Sequence, residues 1–292
     1  MTIVIEKKYI TPLFIETTCY RDRFGSSNRY WEMNPSIWIK DDGNFIILLR
    51  TVNYLTYKDK TFQVYGDAAR TEYYVINGNI SKNFMEYDSV IPLNINYNIP
   101  RTHSLWYGVE DIRFIDSETI LACIPECNNS SPCIFKGKLK DNMFHSLEKC
   151  LPYKNEKNWM PFYNGNRYQV IYSLSPFIIK SIENDDREEI KLKENLELDG
   201  WHGSSNGILI GENQVLFVIH KYKDKFYNKW LILNTNDLSV KISKDFLFFN
   251  NTYIEFVCSL SEYKERIFVS LGINDNKAFI VELEKYEIFK LI

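Results

Sequence analysis

Glycine is scarce in this chain, 12 of 292 residues, and histidine scarcer still, at four. No run of about 18 apolar residues occurs, so no membrane-spanning helix is expected. An excess of positive charge is also missing. The 35 basic and 38 acidic residues leave a formal net charge of −3. Nucleic-acid binders and binders of anionic membranes need cations gathered on one face, so neither partner is expected. The opening residues, Met1-Thr2-Ile3-Val4-Ile5-Glu6-Lys7-Lys8, lack the apolar stretch of a secretory signal, and a cytoplasmic location is expected. Metal-ligand spacing is absent too. Six cysteines stand at positions 19, 123, 127, 133, 150 and 258, and Cys123, Cys127 and Cys133 are separated by three and five residues with no histidine at ligand distance. A structural zinc site takes four ligands, usually in close pairs. Reduced thiols, no metal and no cofactor are therefore expected.

Long amphipathic helices are nearly absent as well. Hydrophobic residues make up 45% of the chain and aromatics 15%, with 20 Tyr and 19 Phe, enough for a sizeable core. They fall in short runs rich in β-branched and aromatic types, as strands require. Examples are Ser36–Ile39, Asn44–Leu49, Glu72–Ile76, Ile112–Ile115, Thr119–Cys123, Tyr168–Tyr172, Gln214–Ile219, Arg266–Ser270 and Lys277–Val281. Asp41-Asp42-Gly43-Asn44 and Asn164-Gly165-Asn166 supply hairpin turns between such runs. The chain reads as all-β. The charge run Glu183–Glu189 reads as a solvated loop.

A unit recurs: a polar lead-in, a short strand, a turn, a strongly apolar strand and a strand mixing aromatics and charges. It begins near residues 34, 109, 158, 204 and 254. The later intervals are about 45 to 51 residues, the length of a four-stranded propeller blade, and the first is about 75, which implies an insertion around Tyr87–Ser104. One domain spanning 1–292 follows, a five-bladed β-propeller with a site in its central channel, and residues 1–30 supply a closing strand. A pair of β-sandwiches is the structural alternative.

In a propeller the leading residues of each innermost strand face the axis. The unit starts carry Glu110 and Asp111; Lys157 and Asn158; Ser204, Ser205 and Asn206; and Glu255, while Asp275 follows a later strand and Arg50 and Asn53 end an early one. Charges gathered at strand starts are costly to bury without partners, so the set is a candidate site.

The motifs resemble those of glycoside hydrolase family one-hundred-and-thirty, the five-bladed propeller mannoside phosphorylases and hydrolases. Gly108-Val109-Glu110-Asp111-Ile112-Arg113 is similar to that family's Glu-Asp-Pro-Arg motif, with Ile112 in place of proline. Glu156–Phe162 resembles the segment opening its third blade, and Asp199–Gly207 followed by Val218-Ile219-His220-Lys221 resembles its fourth. Ile254-Glu255-Phe256 and Ser270–Ala278 resemble its fifth. The likeness covers about residues 34–285. It extends to the related β-1,2-mannosyltransferases and to propellers that accompany sugar-nucleotide glycosyltransferases.

The resemblance implies that Asp111 is a proton donor over a glycosidic oxygen. Glu110 beside it is expected to raise its pKa by like-charge repulsion. Arg50 and Lys157 match phosphate-binding positions, and Asp275 matches a carboxylate that holds sugar hydroxyls. A structural pairing of Asp111 with Arg113 is the alternative for the motif. Asn53, Glu110, Arg113, Asn158, Ser204, Ser205 and His220 are further candidates for substrate contact, and Trp106, Tyr107, Trp159 and Trp201 either stack on sugars or pack between blades. Where phosphorylases carry a basic pair, this chain has Tyr172-Ser173-Leu174-Ser175-Pro176. The first expectation is inverting transfer of a mannosyl-like unit from a sugar donor. Hydrolysis, with Glu255 as the base that activates water, and phosphorolysis are its enzymatic alternatives. A non-catalytic carbohydrate-binding propeller working beside a glycosyltransferase is the third.

Overall fold

The computed structural model describes residues 3–14, 30–59, 61–81, 84–102, 104–150, 155–182, 189–192 and 196–292. Cys19, part of the proposed closing segment and all but the last residue of the charge run lie outside the described residues. The chain is all-β. Among the described residues the helical content is one α-turn at Lys285–Phe289 and one 3-10 turn at Pro125–Cys127. No helix among the described residues is long and apolar enough to cross a membrane.

The described strands form five sheets of four to seven strands and one two-stranded ribbon, in a propeller-like arrangement. In the first sheet, Trp31–Ile39, Asn44–Val52, Ala69–Ser81 and Phe84–Pro92 run as an antiparallel meander, and Trp106–Tyr107 lies parallel to the start of the third strand. Glu110–Phe114, Thr119–Cys123, Ile134–Lys140 and Met143–Lys149 make the second. The third holds Met160–Tyr163, Tyr168–Leu174, Phe177–Ser181 and Glu189–Lys191. The fourth is built on Gln214–Tyr222 and Phe226–Asn234, with His202–Gly203 on its inner side. Glu255–Tyr263, Arg266–Ile273 and Lys277–Glu284 make the fifth.

Two features of this topology lie beyond the repeat pattern. The N-terminal segment serves two sheets: Ile3–Val4 pairs in parallel with Phe246–Leu247 in the fourth, and Tyr9–Leu13 adds the outer strand of the fifth. The long first interval holds the ribbon Tyr54–Thr56/Phe62–Val64 and, after the strand Phe84–Pro92, the strand Asn94–Ile95 at the edge of the second sheet.

Apolar faces of neighbouring sheets bury one another, as half-buried strands must. Trp230, Phe246, Phe248, Val257 and Val269 share one cluster between the fourth and fifth sheets; Ile37, Ile47, Phe268 and Ile280 share another between the fifth and first. Buried hydroxyls and amides link the first strand of the fifth sheet to that of the first sheet and to the segment after His202–Gly203. Ile37 donates its N–H to Ser259 Oγ at 3.1 Å, and Ile39 to Ser261 Oγ at 2.9 Å. Ser204 Oγ donates to the Val257 carbonyl at 2.6 Å, and the Asn206 side chain both donates to and accepts from the Leu260 backbone. Each bond satisfies a strand-edge group that would otherwise be buried unpaired. The first strands are thereby brought side by side.

Candidate active site

Three of these first strands are interrupted. Pairing slips between Met33 and Ser36, between Glu110 and Arg113, and between Val257 and Ser259. A bulge leaves one residue out of the ladder and re-aims its side chain. Asn34 and Asp111 occupy two of the bulges with φ of +39° and +46°, a left-handed backbone that few side chains other than Asn and Asp adopt. Gly272 makes room for the first bulge: a Cβ there would stand 2.1 Å from Asn34 Oδ1. Asn158 and Asp275, at +61° and +53°, share the same backbone state.

The bulges direct Asn34 and Asp111 at one another. Asn34 Nδ2 donates to Asp111 Oδ1 at 3.1 Å, and Arg50 Nη1 donates to the same oxygen at 2.7 Å. Arg50 Nη2 donates to Glu110 Oε1 at 3.0 Å and to the Tyr54 hydroxyl at 3.1 Å. Arg50 is 3% exposed, while the Glu110 and Asp111 side chains keep 25% and 23% of their surface. A buried guanidinium thus anchors two carboxylates that still reach open space. Its own pKa is driven well above the ordinary value, because Tyr54, Glu110 and Asp111 together outweigh the burial that opposes its charge.

The two acids are pushed apart. Burial raises Glu110, and the neighbouring Asp111 charge adds to the rise against the pull of Arg50. For Asp111 burial also acts upward, but Arg50, Arg113 and the Asn34 amide overcome it and hold the carboxyl below its usual range. The expectation that Glu110 would raise Asp111 is therefore corrected: Arg50 reverses the direction, and Glu110 is the acid with the raised proton affinity. Asp275 belongs to the same field. Its pKa is raised by burial against a hydrogen bond from Thr56 and the charge of Arg50.

Arg113 does not pair with the Asp111 carboxylate. It donates Nη1 to the Asp111 carbonyl at 3.1 Å and Nε to the Ser204 carbonyl at 2.6 Å, tying the second sheet to the fourth. Ser204 serves the site through that carbonyl. Lys157 is exposed, and its charge acts on Glu110, His202 and His220. With Asn158, His202 and Trp201 it lines a cavity of about 270 Å³ between the third and fourth sheets. His220 is 6% exposed and packed among His202, Phe226 and Phe256 at 5.2 to 5.8 Å. Burial, with His202 and Arg113 nearby, lowers its pKa to about 3, so the ring is neutral.

Three candidates stand outside the cluster. Glu255 accepts the N–H of Phe248 at 2.8 Å and of Phe249 at 2.7 Å, and the Thr252 hydroxyl at 2.6 Å. A carboxylate saturated in this way clamps a loop and has little capacity left to activate water, which corrects its assignment as the base. Asn53 is likewise consumed, donating to the carbonyls of Tyr65 and Ala68 and accepting the Arg70 N–H, so it fastens the ribbon rather than a substrate. Ser205 Oγ accepts the Val218 N–H at 2.8 Å inside its own sheet, and the side chain is fully buried. Of the aromatics, Trp159 and Trp201 are buried in sheet-to-sheet packing and Trp106 stacks on Phe62 of the ribbon.

Sequence reasoning missed Asn34, Tyr54 and His202. For Asn34 the signal was available: a proline directly after a polar residue inside a strand run marks a bulge. The cluster also gathers unpaired groups. Arg50 Nε, Arg113 Nη2, Asn34 Oδ1 and His220 Nδ1 are buried without a hydrogen-bond partner. Such atoms are rare in folded proteins, and four of them gather in this candidate site. The five described cysteines, Cys123, Cys127, Cys133, Cys150 and Cys258, are free, and no group of three metal-ligating side chains forms among the described residues.

No protein-family model matches the sequence, and no curated protein matches it. Solved structures do. A β-1,2-mannobiose phosphorylase from Listeria innocua, in complex with β-1,2-mannobiose, is 14% identical, with 97% of this chain and 98% of that one covered at a TM-score of 0.61. A glycosyl hydrolase from Bacteroides ovatus is 12% identical over 98% and 91%, at 0.60. A mannose phosphorylase from Leishmania mexicana, in complex with phosphate ion, is 10% identical over 89% and 86%, at 0.50. At these identities the likeness establishes a shared fold.

Proposed function

We propose that this chain is a glycan-processing enzyme that transfers a mannosyl-like hexose, with inversion, at an axial cavity where the first strands of a five-bladed propeller meet. The observation that carries this reading is the bulge-aimed Asp111, held by Asn34 and Arg50 beside a Glu110 of opposite proton affinity. Two neighbouring carboxyls on one guanidinium, with pKa values driven apart, divide the tasks of acid and anion. Glu110, with the raised proton affinity, is the member suited to pass a proton to the leaving oxygen, and Asp111, with the lowered one, is suited to accept a proton from a sugar hydroxyl. Asp275 and the unpaired nitrogens of Arg50 and Arg113 orient the remaining hydroxyls. The mannoside specificity is carried over from the motifs and from the names of the structural neighbours.

Transfer is favoured over hydrolysis because Glu255 is spent on backbone N–H groups. It is favoured over phosphorolysis because Arg50 is already neutralised by two carboxylates, which leaves Lys157 as the exposed cation among the candidates. The test is turnover of β-1,2-mannobiose in water, in phosphate, and with a sugar-nucleotide or mannose phosphate donor plus a mannoside acceptor. Transfer product formed only with the donor is expected, with a loss of about a hundredfold or more in Asp111→Asn. Free mannose in water alone replaces transfer with hydrolysis, and mannose phosphate released from mannobiose replaces it with phosphorolysis. Sugar binding without turnover, unchanged in Asp111→Asn, leaves a recognition module of the kind that accompanies a glycosyltransferase.

A further inference from the structure

A second cavity, of about 510 Å³, opens between the first and second sheets behind Thr71 and Tyr73. These two residues form a partition: on the far side Thr71 Oγ1 lies 3.4 Å from Arg50 Nη2, and the Tyr73 hydroxyl accepts the Ile112 N–H at 3.2 Å. The cavity is of ligand size, and its lining is polar in a particular way. Arg70, Glu72, Arg101 and Glu126 bring two positive and two negative charges, and Tyr97 and Thr102 add hydroxyls.

Glu126 is the unusual member. It is 1% exposed, rising from the Pro125–Cys127 turn, and its Oε1 accepts the Tyr97 hydroxyl at 2.6 Å and the Gly108 N–H at 3.0 Å. Its Oε2 accepts no hydrogen bond, and the nearest cation, Arg101 Nη1, stands 3.7 Å away, beyond hydrogen-bond reach. A buried carboxylate oxygen without a donor is costly unless something supplies one. Arg101, 55% exposed at its side chain, covers the Tyr97 ring at 4.8 Å and stands at the solvent side.

We propose that this cavity is a second binding site, for one neutral sugar unit. Arg70 is already paired with Asp67 at 3.1 Å, and Arg101 stands opposite Glu126, so no unbalanced positive charge is left to hold an anion. A ring of hydroxyls supplies the donor that Glu126 Oε2 lacks and an acceptor for the guanidinium of Arg101. The choice of a sugar over another polyol rests on the function proposed above.

The test is the intact protein crystallised and soaked in millimolar mannose and, separately, β-1,2-mannobiose, with the same ligands titrated in solution by NMR. A sugar within hydrogen-bond distance of Glu126 Oε2 and Arg101 is expected, together with solution binding weakened about tenfold or more in Arg101→Ala. Arg101 is exposed and touches none of the axial cluster, so the NMR spectrum of the variant and its sugar binding at the axial site report separately whether it is folded. No sugar in the cavity, or a sugar bound equally well by Arg101→Ala, overturns the proposal. The same maps read the axial cavity separately. Sugar at Asp111 with none at Glu126 overturns only the second site, and sugar at Glu126 with none at Asp111 supports the second site while counting against the axial one.

Discussion

Two acidic strand starts in this molecule look alike in sequence and behave oppositely. Glu110-Asp111 and Glu255 each open a first strand, each leads into apolar residues, and each is largely enclosed by protein. Around Glu255 the fold supplies donors from the backbone, two N–H groups and a hydroxyl arriving from one short loop, until the carboxylate has no work left. Around Asp111 the donors are side chains from another sheet, Arg50 and Asn34, and each of these keeps a polar atom unpaired. A buried charge is therefore not a site by virtue of being buried or charged. What separates the two is whether the groups that satisfy it are exhausted.

The largest effect that sharpens this contrast is expected for Arg50→Ala. Removing the guanidinium leaves Glu110 and Asp111 facing each other without a counter-charge. Breaking a fully enclosed pair costs about 3–5 kcal/mol, and because these carboxylates keep about a quarter of their surface the expected loss is about 2–3 kcal/mol. Urea unfolding at pH 7 measures it. The sign with pH follows from Asp111: its folded pKa is depressed, so its contribution is present above the unfolded value of 3.8 and is lost as pH falls through the folded pKa. The gap between variant and wild type narrows below pH 4. An equal gap at pH 7 and pH 3 removes the ion pair from the account.

Much of the fold was legible in the chain. Thr119–Cys123 was readable from end to end because five apolar or β-branched residues in a row, bounded by Asp116-Ser117-Glu118 and by Pro125, have few other uses. The Tyr54–Val64 ribbon was not, since its residues alternate weakly and its anchor, Asn53, acts through three backbone groups that no spacing reveals. Nor was the pairing of Ile3–Val4 with Phe246–Leu247, which joins chain segments some 240 residues apart. In the site, Arg50, Glu110 and Asp111 were readable as charges out of place beside apolar runs. The reversal of the Asp111 pKa was not, because it depends on which oxygen Arg50 reaches.

A smaller effect is expected for Glu255→Gln. Whichever way the amide turns, its NH₂ faces a donor, the N–H of Phe248 or that of Phe249, and one bond becomes a repulsion. The expected loss is about 1–3 kcal/mol by urea unfolding, with turnover per folded molecule unchanged. A fall in turnover with stability intact would erase the distinction between the two acids and restore Glu255 as a base.

The smallest and most specific effect concerns His220, which lies between the two kinds of environment: enclosed by aromatic rings like a core residue, yet within the fields of Asp111 and Arg113. Its pKa is lowered from 6.5 to about 3, so across that window the unfolded chain binds a proton that the folded chain refuses. Stability is therefore complete above pH 6.5 and falls as pH drops, by about 1.4 kcal/mol at one unit below that value. His220→Phe keeps the ring and removes the proton site. Its loss of stability between pH 7.5 and pH 5.5 is expected to be smaller than that of the wild type by this amount, measured as the difference in urea midpoints at the two pH values. Identical pH dependence in both proteins would mean that the imidazole is protonated in the fold, and then Asp111, the one group near it that favours its charge, would be its partner rather than an anion reserved for the sugar.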